Sequence, residues 1–247
     1  MRSTCSPRIV FSRVLTIVLW NCAVVCCGVS GGGEPVPLPE HPRPDFQRSQ
    51  WLNLNGTWPF RFDADDAGLK EKWYEGTAPF PRTVVVPFPW GSALSQVADE
   101  APLAWYSRTV QVPQAWQGRR VFLVVGACDW ETQVWLDGRP LGTHRGGYTP
   151  FEFELTPHLQ PGREGRLVLR VDDRPRPFKL EGKQGYGNAR GIWQTVYLEA
   201  RPQTFLTAVQ FSPDIDRGQV AVSARLSAAA PAGTSLKLRF KTGNLPE

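Results

Sequence analysis

Residues 130–145 read WETQVWLDGRPLGTHR. Trp130, Thr132, Val134 and Leu136 alternate with Glu131, Gln133 and Trp135, which places the two sets on opposite faces of an extended chain. Asp137-Gly138 follows, and then a second extended stretch. Both central residues of a type I′ turn need positive φ, so this dipeptide between two alternating runs predicts a β-hairpin.

The same pattern extends in both directions. Strands are predicted at 57–62, 83–86, 104–112, 119–125, 130–136, 166–171 and 192–199, with Leu167, Leu169 and Val171 alternating against Val168 and Arg170. Gly, Pro, Asn and Asp punctuate the chain every eight to fifteen residues, and no helical run interrupts the spacing of two. The chain is therefore all-β, and so many short strands with polar turns predict a jelly-roll β-sandwich over residues 46–200. After Arg201-Pro202, strands restart at 204–211, 219–226 and 235–241. Three strands fall short of the roughly 100 residues and seven strands of an immunoglobulin-like sandwich, so residues 201–247 read as an incomplete one. Either they add to the first domain or the protein continues.

Composition sets the boundaries of function. The 247 residues are 41% hydrophobic, 11% aromatic and 21% charged, which suits a packed globular core and leaves no room for both a sandwich and a complete TIM barrel of about 250 residues. Arg2, Arg8 and Arg13 precede an apolar run over 14–25, shorter than a membrane span, with Gly28, Val29 and Ser30 after it. Residues 1–30 thus read as a secretory signal peptide, with export to a periplasm or the outside. Neither Val25 nor Cys26 is the small residue usual before a lipobox cysteine, which argues against a lipoprotein. Removing residues 1–27 takes away three arginines and no acids, so the formal charge drops from +5 to +2 and no nucleic-acid partner is implied. It also leaves Cys128 alone, without a disulfide partner. Residues 31–45 carry prolines at 35, 37, 39, 42 and 44 and read as an extended linker, poor in hydrogen bonds.

Several constellations of residues bear on chemistry. The three histidines outside the leader region, His41, His144 and His158, are widely separated, so no metal is expected. Asp63, Asp65, Asp66 and Gly68 echo the start of a calcium loop, but Tyr74 stands where a bidentate Glu is needed, and a solvated acidic loop is the reading. Gly185, Gly187 and Gly191 miss the dinucleotide spacing, and no helix follows; no cofactor is expected. Asn55-Gly56-Thr57 is a glycosylation sequon or simply a tight turn. The carboxylate pairs Asp129/Glu131, Glu152/Glu154 and Asp172/Asp173 could serve glycoside hydrolysis, but their periodicity reads as solvent-facing charge. Aromatic residues in loops stand out: Trp90, Trp105, Trp130, Tyr148, Tyr186 and Trp193, several beside polar neighbours, the combination that a sugar site uses.

WLNLNGTWPFRF at 51–62, VVVPFPWGSALS at 84–95, the run over 105–156 that ends GGYTPFEFELT, and RGIWQTVYLE at 190–199 closely resemble the N-terminal sugar-binding jelly roll of glycoside hydrolase family 2. Residues from 204 resemble the first strands of that family's immunoglobulin-like second domain. The resemblance implies a retaining exo-acting β-glycosidase whose two catalytic glutamates belong to a third domain, a TIM barrel. No catalytic residue is therefore expected in these 247 residues, and this chain alone is expected to be inactive. The family's first domain contributes loops to the barrel mouth, here 87–92 and 183–190, which makes Trp90, Lys183, Gln184, Tyr186, Asn188 and Arg190 the expected substrate contacts. The Asn and Asp that β-galactosidases carry in these loops are missing, which departs from galactose specificity. The expected partners are a β-glycoside and a catalytic barrel in the same or a separate chain. The other readings are a stand-alone carbohydrate-binding module and a non-catalytic scaffold.

Overall fold

A computed structural model describes residues 35–76, 78–177 and 189–238. Twelve strands lie in these segments: β1 (Trp51–Asn53), β2 (Gly56–Phe62), β3 (Arg82–Val86), β4 (Leu103–Gln111), β5 (Arg120–Asp129), β6 (Glu131–Leu136), β7 (Arg139–Arg145), β8 (Phe151–Glu154), β9 (Glu164–Asp172), β10 (Gly191–Arg201), β11 (Leu206–Asp214) and β12 (Gln219–Leu226). Their pairing is antiparallel throughout. One sheet runs β1-β10-β5-β8, the second β3-β2-β4-β9-β6-β7, and β11 pairs only with β12. This is the expected all-β jelly-roll sandwich. The Asp137-Gly138 turn has φ of 49° and 77° and pairs Leu136 with Arg139, the two-residue hairpin geometry that the sequence calls for.

The core lies between the two sheets. Trp58, Phe60, Tyr106, Leu123, Val125, Leu136, Leu167, Leu169, Ile192 and Leu198 all reach it from alternating positions on their strands. Each such side chain contributes about 1.5–3 kcal/mol by leaving water. A difference from the simple alternation appears on the six-stranded sheet, where the outward residues are buried as well. Trp105 and Trp135 stack at 5.5 Å, and Trp73 and Tyr74 from the β2–β3 connection close over them. That connection is anchored by Asp63. Its carboxylate accepts hydrogen bonds from Ala67 N at 2.8 Å, Gly68 N at 3.0 Å and Trp105 Nε1 at 2.8 Å. The apparent calcium loop is thus an Asp-anchored turn, buried at Asp63 rather than solvated. Among the described residues, no group of His, Cys, Asp and Glu could hold a metal ion.

Residues 35–45 form no strand, as their prolines dictate. They are nonetheless attached to the sandwich: Asn53 Nδ2 donates to Leu38 O at 2.8 Å, Asn55 Nδ2 donates to Pro37 O at 3.0 Å, and His41 packs edge-on against Trp51 and Tyr197. Prolines offer no N–H, but their carbonyls remain acceptors, and side-chain amides satisfy them. Asn55 also donates to Thr195 Oγ1 and accepts from Val196 N, and it is 2% exposed. The sequon is a buried clamp.

Beyond β10, β11 and β12 form the two expected strands. The third does not form over residues 235–238, and 239–241 lie outside the described residues.

Candidate functional site

The loops that the sequence singles out converge at one end of the sandwich, where β5 ends, β6 begins and β10 begins. The β3–β4 connection, the β7–β8 loop and the ends of the β9–β10 connection all arrive there. Gly191 pairs with Asp129, and Trp90 forms an isolated antiparallel bridge with Arg190, tying three of these segments together through the backbone.

Trp90 is 2% exposed. Its Nε1 donates to Ala101 O at 3.0 Å, and its ring lies 6.0 Å from Phe60, 6.1 Å from Phe62 and 6.1 Å from Tyr106. The structure thus corrects the expectation that this ring faces a ligand: Trp90 fills the end of the core and supports the loops from beneath. Burial raises the Tyr106 hydroxyl well above its ordinary pKa, and Ile192 N lies 3.4 Å from it.

Arg190 stands beside Trp90. Its Nη1 donates to Glu100 Oε2 at 2.6 Å, and its Nε lies 3.1 Å from Asp173 Oδ2. The other four expected contacts, Lys183, Gln184, Tyr186 and Asn188, lie outside the described residues.

The carboxylate pairs of this end are not solvent-facing, contrary to their reading from periodicity. Asp129, Glu131, Asp172 and Asp173 are all buried, Asp172 to 1% exposure. The reason is a set of arginines that periodicity does not count. Asp172 accepts from Arg174, lies 3.1 Å from Arg176 Nη2 and 3.7 Å from Arg170 Nη2. Glu131 accepts from Arg145 Nε at 2.7 Å and faces Arg176 at 3.6 Å. Asp66 joins Arg170 at 2.7 Å and Arg174 at 3.0 Å. Burial by itself raises the Asp172 carboxyl, but the hydrogen bonds and charge of Arg174, with the charge of Arg176, outweigh it and hold the group below the usual carboxylate range. Asp172 is therefore ionised at neutral pH and has no proton to donate as a general acid. Among the described residues of this end, five arginines (145, 170, 174, 176 and 190) stand among six acids (Asp66, Glu100, Asp129, Glu131, Asp172 and Asp173), so this set carries no net positive charge. What the network does chemically is fix loop ends. The signal for it is in the sequence: RVDDRPR at 170–176 alternates arginine with aspartate across seven positions.

Three other aromatics do reach the surface. Tyr148 is 53% exposed and meets Trp193 edge-on at 5.7 Å, while Trp193 Nε1 donates to Gly147 O at 2.7 Å. Arg176 lies over the partly exposed Trp130 at 5.0 Å. All three belong to the aromatic set that the sequence singles out; burial separates them from Trp90 and Trp105.

Together, the two antiparallel sheets and the loops gathered at one end define a jelly-roll β-sandwich. Residues 51–202 match the model of the glycosyl hydrolases family 2 sugar binding domain, and the chain belongs to this family. It is 33% identical over 127 residues to a β-glucuronidase of Paenibacillus borealis, covering 49% of this chain and 21% of that protein. It is 26% identical over 240 residues to the β-glucuronidase of Canis lupus familiaris, covering 81% of this chain and 34% of that protein. Among solved structures, a Faecalibacterium prausnitzii β-glucuronidase superposes with a TM-score of 0.61 at 25% identity, covering 75% of this chain and 37% of that one. The chain thus spans between a fifth and about a third of the length of these relatives.

Proposed function

We propose that this chain is the non-catalytic, sugar-binding portion of an exported family 2 β-glycosidase, working beside a catalytic barrel. The observation that carries the reading is the family match over 51–202 in a chain that spans only 34% of a relative named as a β-glucuronidase. In this reading the segment over 183–190, with Lys183, Gln184, Tyr186, Asn188 and Arg190, supplies polar contacts to the terminal sugar. Trp90 supports Arg190 from the core, and Tyr148 and Trp193 offer ring faces at the same end of the sandwich. The arginine-rich leader with its short apolar run supports export, and no helix among the described residues is long and apolar enough to cross a membrane.

An antibody against residues 46–200, applied to source cells and their medium, tests the reading. The expected result is a band far above 27.6 kDa that co-purifies with β-glycoside hydrolysis. A band no larger than 27.6 kDa with no associated hydrolase overturns it in favour of a stand-alone carbohydrate-binding module.

A further inference from the structure

The sandwich and the β11–β12 hairpin meet at Phe205. Its ring packs edge-on against Phe122 of β5 at 5.6 Å. Three guanidiniums stand around it: Arg201 at 5.0 Å, Arg120 at 5.5 Å and Arg48 at 5.6 Å from the ring centre. Each is held in place from behind by carboxylates. Arg120 makes a bidentate pair with Glu154; Arg201 makes one with Glu152 and also donates to Glu199 at 2.6 Å; Arg48 donates to Glu199 at 2.8 Å. Arg48 further donates from Nη2 to Leu206 O at 2.6 Å, so the N-terminal segment reaches across the joint to the first residue of β11. On the hairpin side, Phe205 N donates to Ser227 Oγ at 3.1 Å, and Ser227 N donates to Phe205 O at 2.8 Å, so the ring is tied to both strands.

The rest of the hairpin buries little. Phe211, Ile215 and Val220 are exposed, and a two-stranded hairpin has little stability of its own in water. Its placement therefore depends on the joint. A single aromatic ring among cations is a weak contact when solvated but gains strength when desolvated, and here Arg201 and Glu199 are both buried.

We propose that Phe205, caged by Arg48, Arg120 and Arg201, is a latch that holds the β11–β12 unit at a fixed angle to the sandwich. Strand β10 runs from this latch to Arg190 at the loop-bearing end, about 35 Å at 3.3 Å per residue. The latch thereby aims that end relative to whatever follows the hairpin. This functional consequence rests on the sugar-binding reading above; the latch itself does not.

Spin labels at Lys70→Cys and Asp216→Cys, in the full chain with Cys5, Cys22, Cys26 and Cys27 changed to Ser and the buried Cys128 retained, report the angle as a pulsed-dipolar distance distribution. The expected parent distribution is a single narrow peak. Phe205→Ala is expected to broaden it at least twofold, Phe205→Trp to keep it narrow, and Arg48→Met to broaden it to an intermediate width while the melting temperature of the sandwich is retained. A parent distribution already as broad as that of Phe205→Ala overturns the latch. So does an unchanged narrow peak in Arg48→Met, which decides the matter even if Phe205→Ala does not fold. No sugar is present, so failure of the sugar-binding reading leaves this result untouched.

Discussion

A β-carbon at Gly191 would fall 2.2 Å from the ring of Trp90 and 2.2 Å from the hydroxyl of Tyr106, at a backbone φ of +78°. Glycine is thus what allows β10 to begin directly against the aromatic end of the core, and what brings Arg190 beside Trp90. Neither obstacle is the far end of a flexible chain. Gly191→Ala is expected to cost about 3 kcal/mol, from overpacking together with the left-handed backbone, as read by urea unfolding. A loss below about 1 kcal/mol would show that the ring has room to move.

Trp90→Ala should behave as a core truncation. The expected loss is about 3–5 kcal/mol in denaturant unfolding, whether or not sugar is present. Tyr148→Ala, at an exposed ring, should leave stability within about 0.5 kcal/mol and weaken whatever glycan affinity titration calorimetry detects. A stable Trp90→Ala chain that had lost only sugar affinity would reverse the roles assigned to the two rings.

Asp172 links stability to acid pH. Its carboxyl pKa is lower in the folded chain than in the unfolded one, so the unfolded chain binds more protons in the acid range. The contribution is complete above the unfolded value of about 3.9 and is lost as pH falls through the folded value. Asp172→Asn is expected to destabilise the chain at pH 7 by about 3–5 kcal/mol, because Arg170 and Arg176 lose their buried counter-charge. It should also flatten the fall of stability with pH below about 4, which melting curves between pH 3 and 7 would reveal.

His144 stacks on Phe151 at 4.2 Å, and its partial burial lowers its pKa despite the contact with Gly146 O. For a histidine shifted in this direction, the unfolded chain takes up the proton first. Stability should therefore decline as pH falls below about 6.5, the unfolded value, and level off below the folded one. His144→Phe keeps a stacked ring and removes the titration, so its melting temperature should vary less between pH 7.5 and 5.5 than that of the parent. Parallel curves would exclude this linkage.

The sequon at Asn55 should be silent in folded protein. The amide carries three hydrogen bonds in a buried position, and a glycan there would displace the 35–41 segment from β10. Peptide mapping of protein secreted from a glycosylating host is expected to find Asn55 unmodified. An occupied site in correctly folded material would mean that this clamp is dispensable.

The strands were legible because their evidence is local. Alternation over 130–136 and the Asp137-Gly138 turn lie within a few residues of one another, and they survive in β6 and β7, where Leu136 pairs with Arg139 and a bulge shifts the register between Val134 and Trp135. The candidate site was legible only in outline. The family resemblance and loop placement pointed Trp90 and Arg190 toward a sugar, and periodicity pointed Asp172 and Asp173 toward solvent, because none of these sees what covers a residue's face. Trp90 is covered by Phe60, Phe62 and Tyr106, which precede or follow it by sixteen to thirty residues. Glu131 is covered by Arg145 and Arg176 from two other segments.

What the sequence determined by itself was the all-β class and the hairpin at 137–138, which follow from backbone preference and spacing along the chain, while the quoted motifs carry the family resemblance. The tertiary structure alone decided which aromatics are core and which are surface, that the buried Glu131, Asp172 and Asp173 face arginines, and that Phe205 joins the two β units. Those outcomes depend on desolvation, and desolvation is set by neighbours that folding brings from far along the chain.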